Sequence, residues 1–210
     1  MSRKVLIADD HFAVRQGLEA LLRAELVDCQ LASVSTQAEL VERLGQEEWD
    51  VVLLDLNMPG RSGLESLREI KDLSPSTAVL IYTAHSEEQL GVRALRAGAD
   101  GFVTKDRPAE ELLRAIRRVL EGRRYISETL AERIADALRQ PDGAQAHELL
   151  SDREFQILRM LGGGTSATEI ADQLTLSIKT VSTYRTRVLQ KLNLRSTAEL
   201  IRYAVEHNIR

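Results

Sequence analysis

Residues 51–60, Val-Val-Leu-Leu-Asp-Leu-Asn-Met-Pro-Gly, restrict the fold more than any other stretch of the chain. Four consecutive apolar residues, Val51 to Leu54, read as a strand buried on both faces. Asp55 follows directly, and Pro59-Gly60 then breaks the structure. A strand covered on both sides belongs to a sheet sandwiched between helices. An acid at its end stands at the carboxyl edge of that sheet, where open α/β sheets bind their ligands.

The flanking sequence repeats the pattern. Residues 4–8, 30–34, 78–82 and 101–103 are short apolar runs, and residues 12–24, 36–44, 62–73, 86–97 and 108–121 carry helical spacing. Thr36 with Glu39 and Ser62 with Glu65 supply Ser/Thr-x-x-Glu helix starts. Gly45 and Gly98 mark helix stops, and Pro108 a first turn. Five strands alternating with five helices through right-handed crossovers predict an α/β, doubly wound, five-stranded parallel sheet. In that topology Asp9, Asp10, Asp55, Thr83 and Lys105 all sit at the carboxyl ends of strands and converge on one edge.

Three acids in one place need a cation at neutral pH. Their ligand atoms are all oxygen, which favours a hard octahedral ion, Mg2+, with Mn2+ as a substitute. Asp10, Asp55 and the backbone carbonyl of Asn57 are the expected ligands, with Asp9 direct or through water. Lys105 and Thr83 then supply a positive charge and a hydroxyl to an incoming anionic group, and Asp55 is the nucleophile of a phosphoryl transfer. The plainer alternative is that Lys105 only neutralises the acids and Thr83 only caps the next helix. Asn57 and His85, each two residues beyond a site residue, are expected to flank the path of an attacking water and tune loss of the phosphate. For His85, an exposed loop position is the plainer alternative.

Charge separates the two ends of the chain. Residues 1–125 hold 17 basic and 21 acidic side chains, whereas residues 147–210 hold 9 and 7. From Gln173 to Ala198 there are five bases and no acid, inside a helical pattern, which points to a polyanionic partner. Residues 127–138 read as a helix, and 140–146 as a linker. The expected domains are therefore 1–122, a linker of 123–146, and 147–210. The last of these is a small all-α domain of four helices, over 151–161, 167–174, 178–192 and 196–207, in a helix-turn-helix arrangement. In its third helix Val181, Tyr184, Val188 and Leu192 face inward by spacing. Ser182, Thr183 and Thr186 are the expected base-edge contacts, and Lys179, Arg185, Arg187 and Lys191 the phosphate contacts. A solvated face on a protein-binding module is the alternative.

No apolar run approaches the roughly 20 residues of a membrane span. The N-terminus leads directly into a strand, and Cys29 is the single cysteine. A cytoplasmic protein with no membrane partner is expected.

The residues Asp9-Asp10, Asp55 with Met58-Pro59-Gly60, Thr83-Ala84, and Gly101-Phe102-Val103-Thr104-Lys105 resemble a response-regulator receiver domain over the first ~125 residues. Leu150-Ser151-Asp152-Arg153-Glu154, Glu169-Ile170-Ala171, and Leu176 to Ser182 through Lys191-Leu192 resemble the LuxR-type DNA-binding domain. Together they resemble response regulators of the NarL/FixJ class. The resemblance implies phosphorylation of Asp55 by a sensor histidine kinase, without enzymatic turnover. It also implies a switch in which Thr83 moves toward the phosphate and Phe102 turns inward. DNA reading falls to the third helix of the second domain, and pairing to the last, where Ala198, Ile201 and Ala204 are the expected dimer contacts. The implied function is transcription regulation on double-stranded DNA, with phosphorylation favouring a homodimer or releasing the DNA-binding domain. Asp106 stands where the family often has Pro, so no proline supports a cis peptide after Lys105. Asp, Mg2+, Thr and Lys are also the kit of haloacid-dehalogenase-like phosphohydrolases. There, however, the nucleophile usually lies in an Asp-x-Asp near the first strand. A phosphate-independent regulator is the third reading.

Overall fold

The computed structural model describes residues 3–26, 28–59, 63–139 and 146–209. They form two compact units, residues 1–134 and 135–210.

The first unit is built on five strands: β1 Arg3–Ala8, β2 Cys29–Val34, β3 Val51–Leu54, β4 Ala78–Thr83 and β5 Gly101–Thr104. All pair in parallel, in the order β2-β1-β3-β4-β5. Five helices alternate with them: α1 Phe12–Glu25, α2 Gln37–Gln46, α3 Gly63–Leu73, α4 Glu87–Arg96 and α5 Ala109–Leu120. The doubly wound expectation holds. The order reverses between β1 and β3, so the ends of these two strands flank the crevice that such folds use for ligands.

Side chains alternate across the sheet. Val5, Ile7, Val51, Leu53, Leu80 and Val103 pack with Leu18 and Leu22 of α1 and Leu112, Ile116 and Val119 of α5. The alternate residues Leu6, Val52, Leu54, Val79, Ile81 and Phe102 are just as buried. Both faces are therefore dry, as the unbroken apolar run of β3 requires. Burying even one Leu or Ile side chain contributes about 1.5–3 kcal/mol.

Helix starts follow local chemistry, with one shift from expectation. Thr36 accepts a bond from Glu39 N, but the Glu39 carboxylate reaches the backbone N of Ser35 rather than that of Thr36. Ser62 lies outside the described residues. Every described peptide bond is trans, that following Lys105 included.

Residues beyond α5 do not leave the unit at once. Tyr125 bridges to Gly101 beside β5, and its amide donates to Asp100 O at 2.9 Å. A Cβ at position 101 would lie 2.9 Å from Tyr125 O, so glycine permits this close approach. Helix α6, Glu128–Arg139, follows and crosses the boundary between the units. The expected linker of 123–146 is thus divided, its first part belonging to the sheet domain.

The second unit contains a 3-10 turn, Ala146–Leu149, and helices α7 Asp152–Gly162, α8 Ala167–Gln173, α9 Ile178–Lys191 and α10 Thr197–Glu206. Full capping boxes open α7 (Ser151, Glu154) and α8 (Ser166, Glu169). The core is aliphatic around one aromatic, with Phe155, Ile157, Leu158, Ile170, Val181, Val188 and Leu200 buried. Among the described residues no helix is long and apolar enough to cross a membrane.

Candidate functional site

Asp9 and Asp10 follow β1 and Asp55 follows β3, and these strands are hydrogen-bonded neighbours. The sheet therefore places the acids side by side although they are about 45 positions apart in sequence. Asp55 N donates to Ala8 O at 2.9 Å, which fixes the end of β3 against β1. Asp9 and Asp55 are 1% and 2% exposed. Lys105, just after β5, reaches across: its Nζ lies 2.6 Å from Asp9 Oδ2 and 2.7 Å from Asp55 Oδ2. Burial pulls the Lys105 ammonium down, but its hydrogen bonds and charge pairing with Asp55 and Asp9 outweigh that and hold it above the ordinary lysine range. The site thus carries a fixed positive charge at neutral pH.

Oxygens remain for a cation. One ligand atom each from Asp9, Asp10, His11 and Asp55 can be chosen so that all lie within 4.8 Å of one another. Asp10 Oδ1 is buried without a hydrogen bond. His11 Nδ1 lies 2.8 Å from it but is not aligned as a hydrogen bond. An under-satisfied carboxylate oxygen facing two further carboxylates fits a hard divalent ion. His11 is not among the residues expected from sequence. It follows the acid pair directly, and its backbone N also donates to Asp9 Oδ1 at 2.8 Å.

Of the other expected residues, Thr83 ends β4 fully buried, and its hydroxyl accepts from His85 N at 3.4 Å. Lys105 N donates to Thr83 O at 2.8 Å, which ties the ends of β4 and β5 together. Phe102 is 1% exposed, so its ring is already inside in this structure. Asn57 is exposed, and its N–H donates to Asp55 Oδ1 at 3.1 Å. Its backbone is therefore folded over the acid, on the same edge.

In the second unit α8, a tight turn and α9 form the expected helix pair. Val181, Val188 and Leu192 are buried, and Tyr184 is half-buried with the Arg187 guanidinium 5.8 Å from its ring centre. Lys179, Thr183, Thr186 and Arg187 are exposed on the opposite side, with Ser182 and Arg185 half-buried. The Thr183 and Thr186 hydroxyls donate to the carbonyls of Lys179 and Ser182, four residues back. In this rotamer they offer an outside partner lone pairs and a methyl group, not a proton.

Two expectations need correction. Lys191 does not stand free for a phosphate: its Nζ is 2.7 Å from Glu154 Oε2, joining α9 to the capping box of α7. Ala204 is fully buried, and a Cβ on Gly162 would come within 2.5 Å of its own, so it packs inside its unit and offers nothing to a second copy. Ala198 and Ile201 are exposed, and Val205, 41% exposed, continues their face.

The Glu154 carboxylate gives a pH prediction. Burial raises it, but the bonds from Lys191 and from the Ser151 N–H and hydroxyl prevail and hold it below its ordinary value of 4.5. A depressed carboxyl stabilises the fold above its unfolded pKa, and the contribution is lost as pH falls through the folded one. Lys191 is 44% exposed and screened, so Glu154→Gln should cost only about 1 kcal/mol near pH 6. Urea titrations followed by circular dichroism should show that cost shrinking toward zero as pH is lowered below 4.5.

The fold and its two sites define a class: an α/β domain with an acid-and-lysine edge, joined to a helix-turn-helix domain. Residues 5–117 match the response regulator receiver domain family, and residues 148–204 the family of bacterial regulatory proteins, luxR family. The chain is 38% identical to the response regulator GacA of Pseudomonas aeruginosa over 208 residues, covering 98% of this chain and 97% of that one. It is 35% identical to the response regulator UvrY of Escherichia coli K12 over 206 residues, covering 98% and 94%. A solved structure of RcsB from Salmonella enterica serovar Typhimurium, bound to promoter rprA in the presence of the phosphomimetic BeF3−, superposes with a TM-score of 0.67. It shares 26% identity and covers 97% of this chain and 98% of that one. The chain belongs to the response regulators that couple a receiver domain to a LuxR-type DNA-binding domain, and it is a DNA-binding regulator of transcription.

Proposed function

We propose that Asp55 accepts a phosphoryl group from a sensor histidine kinase and that the acyl phosphate controls DNA binding. The observation that carries this reading is the Lys105 ammonium held at 2.6 and 2.7 Å between Asp9 and Asp55. A lysine at that point balances the buried acids and remains within reach of an added phosphoryl oxygen. An Asp55 carboxylate oxygen attacks phosphorus, the bond from phosphorus to the kinase histidine nitrogen breaks, and the imidazole leaves with that electron pair. Asp9, Asp10, Asp55 and the carbonyl of Asn57 would hold Mg2+, which supplies positive charge to the phosphoryl oxygens. His11, beside them, orders Asp9 through its backbone. Thr83 supplies a hydroxyl to the phosphoryl group, and Phe102, buried on the same sheet face, fills the space beneath it. Asn57 and His85 tune hydrolysis. One phosphoryl group is carried per chain and lost to water, so the protein is consumed and regenerated as a signal carrier rather than turning over a small substrate.

On the DNA side, α9 enters the major groove with Ser182, Thr183 and Thr186 at base edges and Lys179, Arg185 and Arg187 at phosphates. Ala198, Ile201 and Val205 of α10 form the face on which two copies pair when phosphorylated. The solved RcsB complex, with a promoter and a phosphate mimic, supports this reading by analogy. The test is incubation of the full chain with Mg2+ and acetyl phosphate, followed by intact mass, size-exclusion elution and DNA titration at several salt concentrations. One added phosphoryl group with tighter DNA binding is expected, and an unchanged mass would sink the acceptor assignment. Lys179→Ala and Arg187→Ala should each weaken binding on all sequences and reduce the salt slope by about 1. Thr183→Ala should instead alter sequence preference.

A further inference from the structure

Helix α6 begins as part of the receiver, not as a free connector. Its N-cap residue Ser127 has a hydroxyl that does two things. It accepts from Leu130 N at 3.0 Å, and it donates to Glu87 Oε2 at 2.7 Å. Glu87 is the first residue of α4. Nearly two turns further along α6, Arg133 NH1 donates to Glu88 O at 3.0 Å, and its NH2 lies 3.6 Å from the Glu88 carboxylate. Between these polar contacts Leu130 is fully buried. A Cβ on Gly91 would lie 2.8 Å from Leu130 Cδ1, so the missing side chain in α4 is the socket that admits it. Just before α6, Tyr125 is fixed by its backbone to Asp100 and by its hydroxyl to Glu111 of α5 at 3.1 Å. Four consecutive kinds of contact, from 125 to 133, hold the segment down.

Where the contacts fall gives them a consequence. Glu87 comes four residues after Thr83, whose hydroxyl already accepts from the backbone between them at His85. Leu90, Gly91 and Ala94 are buried residues of α4, and the helix lies over β5, the strand of Phe102. The first turn of α4 is therefore close in the chain to one residue of the proposed switch, and its helix packs on the strand of the other. The same turn carries both polar contacts just named, Ser127 to Glu87 and Arg133 to Glu88.

We infer that residues 124–134 form a strap, Leu130 seated on Gly91 and Ser127 and Arg133 tied to Glu87 and Glu88, through which the first turn of α4 sets how firmly the start of α6 is held. The segment begins beyond the matched receiver family, which ends at residue 117. Since α6 continues past residue 134 into the second unit, its hold at this end governs how ordered that connection is. The response to phosphorylation rests on the acceptor reading of Asp55; the docking itself does not.

Hydrogen exchange of the full chain, read by mass spectrometry over residues 124–134, tests both halves. Leu130→Ala should speed exchange there by about tenfold or more, because the helix loses its buried anchor, and Ser127→Ala by a smaller factor. Glu128→Ala, exposed on the same helix, should change little. If Leu130→Ala and Ser127→Ala both exchange as the wild type does, the segment is not held by these contacts and the inference is wrong. With Mg2+ and acetyl phosphate, wild-type chains that carry a phosphoryl group by intact mass should exchange differently over 124–134, and Leu130→Ala chains should not. Added mass without any change in that peptide would overturn the coupling while leaving Asp55 as acceptor. If no mass is added, the acceptor reading fails, and the strap stands or falls on the variants alone.

Discussion

Asp55→Asn should take up no phosphoryl group under conditions in which the wild type is expected to gain one, and its DNA affinity should not respond to Mg2+ and acetyl phosphate. This is the largest functional effect expected of a single substitution, because an amide oxygen cannot displace the leaving group as a carboxylate can. The fold should survive. The introduced amide keeps an oxygen in the place of Oδ1, which accepts from Asn57 N at 3.1 Å, and Lys105 keeps Asp9 at 2.6 Å. One of three neighbouring negative charges is removed at the same time, which offsets the lost pairing to Lys105. Unfolding free energies from urea titration within about 1 kcal/mol of wild type, together with absent phosphoryl mass, would separate loss of chemistry from loss of structure. Phosphoryl uptake by Asp55→Asn chains at the wild-type level would place the acceptor on another residue.

Gly63→Ala should have the largest effect on stability. Gly63 opens α3, and a Cβ there would lie 2.4 Å from Leu56 Cα and 2.5 Å from Leu56 O. Both are backbone atoms of the residue after Asp55, so no rotamer change relieves the overlap. The segment after β3 must move, or α3 must back away and draw its own buried residues Leu64, Leu67 and Ile70 out of the core. Overpacking of this kind costs about 1–3 kcal/mol where side chains can adjust, and the upper end or more is expected against backbone. Because the displaced segment carries Asp55 and Asn57, phosphoryl uptake should fall together with stability. Urea titration beside intact-mass kinetics reads both. A Gly63→Ala chain as stable as wild type would mean that this segment moves freely away from α3.

Much of this was legible in the linear chain. The buried run Val51–Leu54, the alternation of strands and helices, and the acids and lysine at strand ends required only local pattern and the handedness of crossovers. The same holds for α9, where the spacing of Val181, Val188 and Leu192 separates an inner face from a basic outer one. The paired family resemblance was carried by contiguous motifs, which a sequence displays directly.

What tertiary structure decided is which of several local options each side chain takes. Helical spacing puts Ala204 one position from Val205, and nothing in α10 itself says which of them meets the core; Gly162 of α7 does, by leaving room for Ala204. Lys191 reads as one more base in a basic run until Glu154, 37 positions away, is placed beside it. The opening of α6 reads as linker because its partners, Glu87, Glu88 and Gly91, lie about 40 positions earlier and make contacts no local pattern encodes. Sequence by itself determined the elements, the sheet edge where the acids gather and the basic helix, because these depend on periodicity and chain connectivity. Packing decided that Lys105 spans Asp9 and Asp55, that Lys191 pairs with Glu154, and that the start of α6 is anchored, because each depends on a distant residue arriving within bonding distance.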